Sequence, residues 1–219
     1  MGFTENVFNS GTASGISLAA TGTPALIIAA FAKDSANDPT SVQYGGVNMI
    51  RLTETVNGAQ GAEIWYLVTG IPAGTQSITY TLAGAHRCYG GAFDVAGGKV
   101  AEFDTEAGTS GTSTGPSQAI TPGAQPNVII AVCAHEGAAA MTAKGAGQVG
   151  METGAGDGFI DEGTWNSACT YEATTSTAAN TQTFTNGASD TWSLRVASFI
   201  EVDAPVVPEN WLTLLGVGV

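Results

Sequence analysis

The sequence predicts an all-β protein, an antiparallel β-sandwich of the jelly-roll type with about ten to twelve strands. Three observations predict it. Apolar and polar residues alternate in several stretches, two short runs are apolar on both faces, and Gly, Pro and Asn interrupt the chain at short intervals. No stretch has the period of an amphipathic helix, and long antiparallel strands with wide loops favour the jelly roll.

The alternating stretches are residues 16–18, 77–82 and 192–197. In the second of them, Ile78 and Tyr80 share one face and hydroxyl-bearing residues share the other. Strands of this kind have one dry face and one wet or partly covered face, as in antiparallel sandwiches.

The two apolar runs are Ala25–Ala32 and Val128–Cys133, and each follows a proline, Pro24 or Pro126. Either run could be a short buried helix. The short length, the β-branched residues and the preceding proline favour buried central strands.

Turns are predicted by the small residues between these runs. Tyr44–Val47 indicates a tight hairpin, because glycine supplies the positive φ that such turns need. Residues 108–115 and 145–156 are Gly-rich and are predicted as loops. No internal repeat is evident, so we expect one jelly-roll domain over residues 1–202.

Charge and composition exclude several classes of protein. The chain has 6 Lys and Arg against 19 Asp and Glu, a net charge of −13, so it lacks the cationic stripe that a nucleic-acid binder needs. The acidic balance also repels anionic membranes. No apolar run approaches the ~20 residues of a membrane span, and the N-terminus lacks the pattern of a secretory signal.

Two His/Cys pairs have a spacing that could serve a metal site. His86 and Cys88, like Cys133 and His135, are spaced to share one face of a strand, and paired strands could offer zinc two nitrogen and two sulfur ligands. Buried thiols and histidines at strand ends are commoner than such a site. We therefore expect packing roles, reduced thiols and no metal.

Patterns for catalysis are weak. Gly111–Gly115 matches a nucleophile elbow, but Pro116 follows instead of a helix. Glu63 beside Trp65 suggests a glycosidase carboxylate, yet no second carboxylate has a suitable spacing. We therefore expect no enzymatic activity, no catalytic residue and no cofactor.

Two groups of side chains could bind a ligand instead. Asp157, Asp161 and Glu162 could offer oxygen ligands to calcium, but their spacing lacks the EF-hand pattern and a solvated acidic loop is the commoner explanation. Trp65 and Trp165 could stack on sugar rings if they are exposed, and they belong to the sandwich core if they are not.

Several segments together are similar to a known module. They are Tyr44–Met49, Ile64–Leu67, Ile71–Thr75 and Tyr89–Gly91. Over roughly residues 12–202 they resemble a jelly-roll module of tailed-phage virion proteins and some bacterial surface proteins. The resemblance implies display or adhesion on a particle surface, and it offers no catalytic residue to transfer.

The tail is distinct from the rest of the chain. Residues 203–219 begin with an extended, Pro-containing linker and continue into an apolar segment. This segment either folds back on its own domain or docks on a neighbouring subunit, in the manner of strand addition. Its candidate anchors are apolar: Trp211, Leu212, Leu214 and Leu215.

Two functions remain. The first is a non-enzymatic virion structural protein, made in the host cytoplasm and carried on the virion surface as a capsid decoration or head/tail accessory protein. Its partners would be the major capsid or tail protein and further copies of itself. The alternative is a carbohydrate-binding, receptor-binding jelly-roll module with a glycan as its ligand.

Overall fold

The computed structural model describes residues 2–12, 15–34, 38–137, 140–151, 159–161 and 165–205. Every regular element in these ranges is a β-strand and every strand pair is antiparallel, so the predicted all-β sandwich is confirmed. The described residues contain no helix long and apolar enough to cross a membrane.

Nineteen strands are present in the described ranges, more than the ten to twelve expected. The first ten are β1 (Thr4–Gly11), β2 (Gly15–Ala19), β3 (Leu26–Asp34), β4 (Val42–Tyr44), β5 (Val47–Asn48), β6 (Ile50–Arg51), β7 (Thr55–Asn57), β8 (Gln60–Leu67), β9 (Thr75–Tyr80) and β10 (His86–Asp94). The other nine are β11 (Lys99–Ser113), β12 (Ser117–Ile120), β13 (Asn127–Glu136), β14 (Met141–Lys144), β15 (Val149–Gly150), β16 (Phe159–Asp161), β17 (Trp165–Thr174), β18 (Asn180–Asn186) and β19 (Asp190–Asp203).

The first ten strands form a jelly roll. One sheet has the order β1-β10-β3-β8-β6, with β7 also paired to β8, and the other has the order β2-β9-β4-β5. The chain therefore crosses repeatedly between the sheets, and its first and last strands lie side by side. This interleaved order is that of a jelly roll built from Greek keys.

The last nine strands repeat this arrangement. One sheet has the order β11-β19-β13-β17-β15, with β16 also on β17, and the other has the order β12-β18-β14. Strand by strand, β11, β13, β17 and β19 take the places of β1, β3, β8 and β10. The chain thus contains two copies of one topology, which corrects the expectation of no internal repeat and accounts for the additional strands.

A weak sequence similarity accompanies the structural repeat. Pro24–Ala32 and Pro126–Ala134 share a proline, two adjacent isoleucines and two alanines at matching positions. Gly15–Thr21 and Gly115–Thr121 share Gly, Ser, Ala and Thr. The offsets are 126 − 24 = 102 and 115 − 15 = 100, so no single period relates the copies.

The two copies pack through their larger sheets and share one apolar core. In β3, Ile28 and Ala30 point into this shared core, while Ile27 and Ala29 point into the core of their own roll. Strand β13 divides its side chains in the same way, which explains why both runs are apolar on both faces. Among the largest side chains of the shared core are Phe8, Tyr66, Tyr89, Phe93, Trp165 and Phe199.

Buried polar bonds also join the copies. The Tyr89 hydroxyl and the Ser167 hydroxyl are 2.7 Å apart, and Ser193 Oγ donates to the Gln60 carbonyl at 2.8 Å. The assignment of residues 1–202 to one domain remains a prediction, and the two hydrogen bonds between the rolls favour it. Strand β19 ends at Asp203, and residues 206–219 of the predicted tail lie outside the described ranges.

Candidate functional site

A buried cluster of charged side chains lies at the apical end, defined as the end where β3 and β13 finish. Lys33, next to last in β3, is fully buried, and so is Glu63 on β8. Burial of a charge is costly unless partners surround it. The partners here are three partly exposed residues: Asp38, Arg51 and Glu54.

The Lys33 ammonium lies among three carboxylates. Its Nζ is 2.6 Å from Glu54 Oε1 and 4.0 Å from Glu63 Oε2, and it also donates to Asp38 Oδ1. The lysine stem reaches them across Gly61, where an added Cβ would lie 2.6 Å from Lys33 Cε. Glycine at this position of β8 is therefore needed for the close approach of the lysine.

The Arg51 guanidinium closes the cluster from the solvent side. Its Nε and Nη2 donate to Glu63 Oε2 at 3.0 and 2.6 Å, and Nη2 lies 2.8 Å from Asp38 Oδ2. The guanidinium also lies 5.8 Å from the ring centroid of Trp65, whose Nε1 donates to Glu63 Oε1 at 3.0 Å. Both oxygens of the buried Glu63 carboxylate are thus hydrogen-bonded.

Charge and burial act in opposite directions on the carboxyl groups. Burial tends to raise the pKa of Asp38, but Lys33 and Arg51 outweigh it and lower the pKa to about 2. Burial raises the pKa of Glu54 despite its contact with Lys33. The pKa of Arg51 is raised, because Asp38 and Glu63 overcome the effect of burial.

The cluster is a closed ion network. Its three carboxylates bring oxygens within 4.8 Å of one another, the one such grouping of metal-ligand side chains that the described residues contain. Lys33 and Arg51 already supply the cations, so the formal charge of the five side chains is −3 + 2 = −1. Because each carboxylate is engaged by a cation, none is a free general base, and we expect removal of any one partner to destabilise the fold.

Sequence reasoning singled out Glu63 and Trp65 but missed Lys33, Arg51 and Glu54. One signal was available. Lys33 is one of only 6 basic residues and directly follows an apolar run that is buried on both faces of β3. A lysine in that position needs carboxylate partners, but their positions depend on how the chain folds.

The two His/Cys pairs do not meet. Cys88 lies in the core of the first roll and Cys133 in the core of the second. Burial raises the pKa of Cys88 and of Cys133, so both thiols stay protonated and unreactive. His86 Nδ1 lies 2.9 Å from the Gly84 carbonyl oxygen, and the His86 ring packs edge-on against Tyr80 in the core of the first roll.

The other candidate ligand residues are placed as follows. Trp65 is 8% exposed and Trp165 is 4% exposed, so neither presents an open ring face for a sugar. Asp157 and Glu162 lie outside the described residues, and of Asp161 only the backbone, in β16, is described.

The segment that matched a nucleophile elbow is strand, not loop. Strand β11 extends to Ser113 and β12 begins at Ser117. The chain therefore passes from strand to strand, and the strand-to-helix turn that an elbow requires does not form. The predicted loop over 108–115 is corrected accordingly.

His135 occupies in the second roll the place that Lys33 has in the first. Each follows one of the matched alanines, Ala32 or Ala134, and each is fully buried. The His135 Nε2 lies 3.7 Å from Asp190 Oδ2. Burial lowers the pKa of His135 and Asp190 only partly opposes it, so the neutral imidazole is favoured.

A pH-dependent loss of stability follows. The unfolded chain takes up a proton near the ordinary histidine pKa of about 6.5, whereas folded His135 resists it, so stability falls as pH drops below about 6.5. We expect His135→Phe to flatten this acid-side decline in urea midpoints between pH 8 and pH 5. His86→Phe is the control and should keep the decline; equal slopes in the two variants would contradict the assignment.

Comparison with known proteins identifies no family for this chain. No family model and no curated protein matches the chain. One solved structure similar to it is the crystal structure of the major capsid protein P2 from bacteriophage PM2, with 9% identity and a TM-score of 0.30 over 94% of this chain and 99% of that one. This likeness is too low to carry an argument. The jelly-roll architecture rests on the strand order, and membership of the specific virion module stays a prediction.

Proposed function

We propose that this chain is a non-enzymatic structural protein of a phage virion, acting as a capsid decoration or head/tail accessory protein on the particle surface. The observation that carries the proposal is the pair of stacked jelly rolls with one shared core. Jelly rolls recur in viral capsid and lectin domains, and this part of the argument is an analogy of fold. A body held by a continuous core suits a part that must stay rigid in an assembly.

The chemistry of the described residues supports an inert body. Every carboxylate of the charged cluster around Lys33 is paired with a cation, and all three thiols are buried and free. The net charge of −13 keeps such a body soluble and away from nucleic acid and anionic lipid. Binding to neighbours must therefore use apolar surface or specific polar contacts.

The segments that resemble the virion module have structural roles. Gly45 and Gly46 have φ values of 54° and 83° and close the hairpin between β4 and β5. Gly74, with φ of 74°, turns the chain before β9. The glycan-binding alternative draws no comparable support, because Trp65 and Trp165 are both buried.

Removal of the apolar tail tests the proposal in the particle. A chain lacking residues 206–219 keeps β19 and its Lys99–Asp203 ion pair, so we expect it to fold normally. We expect it to be lost from virions, because the candidate anchors Trp211, Leu212, Leu214 and Leu215 are removed. Circular dichroism checks folding, and mass spectrometry of purified particles measures incorporation.

A matched control replaces residues 206–219 with a Gly/Ser segment of equal length, which should fail in the same way. Incorporation of either variant at the wild-type level would contradict the role of the tail. Absence of the full-length chain from purified particles would contradict the proposed function itself.

A further inference from the structure

An apolar pocket lies at the basal end, defined as the end where β3 and β13 begin. It has a volume of about 490 Å³ and draws on both rolls: Val68 follows β8 of the first, and Val100 lies near the start of β11 in the second. We call it the basal pocket. Its other apolar lining residues are Ala101, Val202 and Pro205, and its polar ones are the exposed Thr69, Glu102 and Asp203.

The basal pocket leaves an edge of the shared core open to water. Ala101 belongs to that core, and Val68 packs against it while remaining only partly buried. Val100 and Val202 lie opposite each other in the β11–β19 pair, and both are half-buried. Covering apolar surface that stays wet beside a packed core with further apolar groups is favourable.

The chain itself carries apolar side chains to this pocket. Pro205, the last residue that the structure describes, lines it, and Val206 and Val207 follow in the sequence. Consecutive Cα atoms lie about 3.8 Å apart, so both valines are held within about 8 Å of Pro205 whatever path the tail takes. Val207 precedes Pro208 and is biased towards an extended backbone, in which adjacent side chains point to opposite sides. One valine or the other is thus directed towards the pocket without any reversal of the chain.

Tethering favours the valines of the same chain over those of a second copy. A segment joined directly to the pocket is present there at an effective concentration in the millimolar range, far above that of a second copy in dilute solution. Each copy also carries a net charge of −13, which opposes the close approach of two copies. The pocket of every copy is already lined by its own Pro205, so an incoming tail competes with the residues directly after that proline.

We propose that Val206 and Val207 pack in the basal pocket of their own chain and close the open end of the shared core. A pocket of about 490 Å³ has the size of a site for one small ligand, so it takes fewer side chains than the tail carries. The inference does not depend on the proposed function, because the valines fix the point from which the anchors leave the body, whatever the anchors contact. The candidate anchors that stay outside the pocket are Trp211, Leu212, Leu214 and Leu215.

Hydrogen exchange of the full-length protein, read by mass spectrometry, tests this packing. We expect the double substitution Val206→Asp with Val207→Asp to speed exchange of the backbone amides in residues 99–103 and 199–203 about tenfold, because the pocket loses its cover and these strand ends open more often. Val217→Asp with Val219→Asp is the matched control, since it adds the same two charges to the same tail beyond the anchors. It should leave exchange as in wild type, and circular dichroism checks that both variants fold.

Repeating the exchange measurement at low and high protein concentration separates the chain's own pocket from that of a second copy. We expect the protection of residues 99–103 in wild type to be independent of concentration. Protection that appears only at high concentration, wild-type exchange in the Val206/Val207 variant, or equal acceleration by the control would each overturn the inference. Virion incorporation depends on the anchors and is measured separately, so it decides the proposed function alone.

Discussion

Lys33→Met is expected to lower the free energy of unfolding by about 3–5 kcal/mol, as removal of one partner from a buried ion network does. The substitution keeps the length of the stem over Gly61 but removes the charge that faces Glu54 and Glu63. Glu63 is fully buried and would then rely on Arg51 and Trp65 alone. Urea denaturation at neutral pH, followed by far-UV circular dichroism, measures the loss.

Lys99→Met provides the matched control. Lys99 is 38% exposed and pairs with the exposed Asp203 at 2.9 Å, so its loss should leave unfolding almost unchanged. Equal unfolding midpoints for the Lys33 and Lys99 variants would show that the buried network contributes nothing specific. The interpretation of the apical cluster as a stabilising element would then be abandoned.

Phe199→Ala is expected to cost about 3–5 kcal/mol and to shift a single unfolding transition of the whole described body. The Phe199 ring lies in the shared core, 5.3 Å from the ring of Tyr66, which belongs to the first roll, and 5.9 Å from the ring of Phe103. Its loss opens a cavity between the two rolls. Since neither roll can bury its larger sheet alone, we expect both to unfold together.

Differential scanning calorimetry measures this cooperativity, through the ratio of the calorimetric to the van't Hoff enthalpy. Phe184→Ala, in the separate core of the second roll, is the companion variant. It should shift the same single transition. Two resolved transitions in wild type or in either variant would contradict the prediction of one domain over residues 1–202.

The strands and their burial were largely predictable. Ile78 and Tyr80 alternate with polar neighbours and face a core, as their spacing indicates. The runs beginning after Pro24 and Pro126 are central strands buried on both faces. In these places the local pattern and the tertiary environment demand the same structure.

The repeat was not predictable by period, because insertions separate the matched segments by unequal offsets. The partners of Lys33 were hidden for a related reason. Asp38 lies in the connection after β3, Arg51 and Glu54 lie in and just after β6, and Glu63 lies in β8. The pairing of β8 with both β3 and β6 brings them together. Contacts that depend on which strands become neighbours leave no local mark in the sequence.

The two rolls carry different buried polar residues at corresponding positions, and this difference affects the symmetry of the molecule. Identical single-roll chains meeting face to face would form a two-fold symmetric particle with indistinguishable sides. Here Lys33 with its carboxylates marks one side, and His135 with Asp190 marks the other. Joining the rolls in one chain therefore makes the two flanks of the molecule chemically different, a difference that a pair of identical single-roll chains could not have.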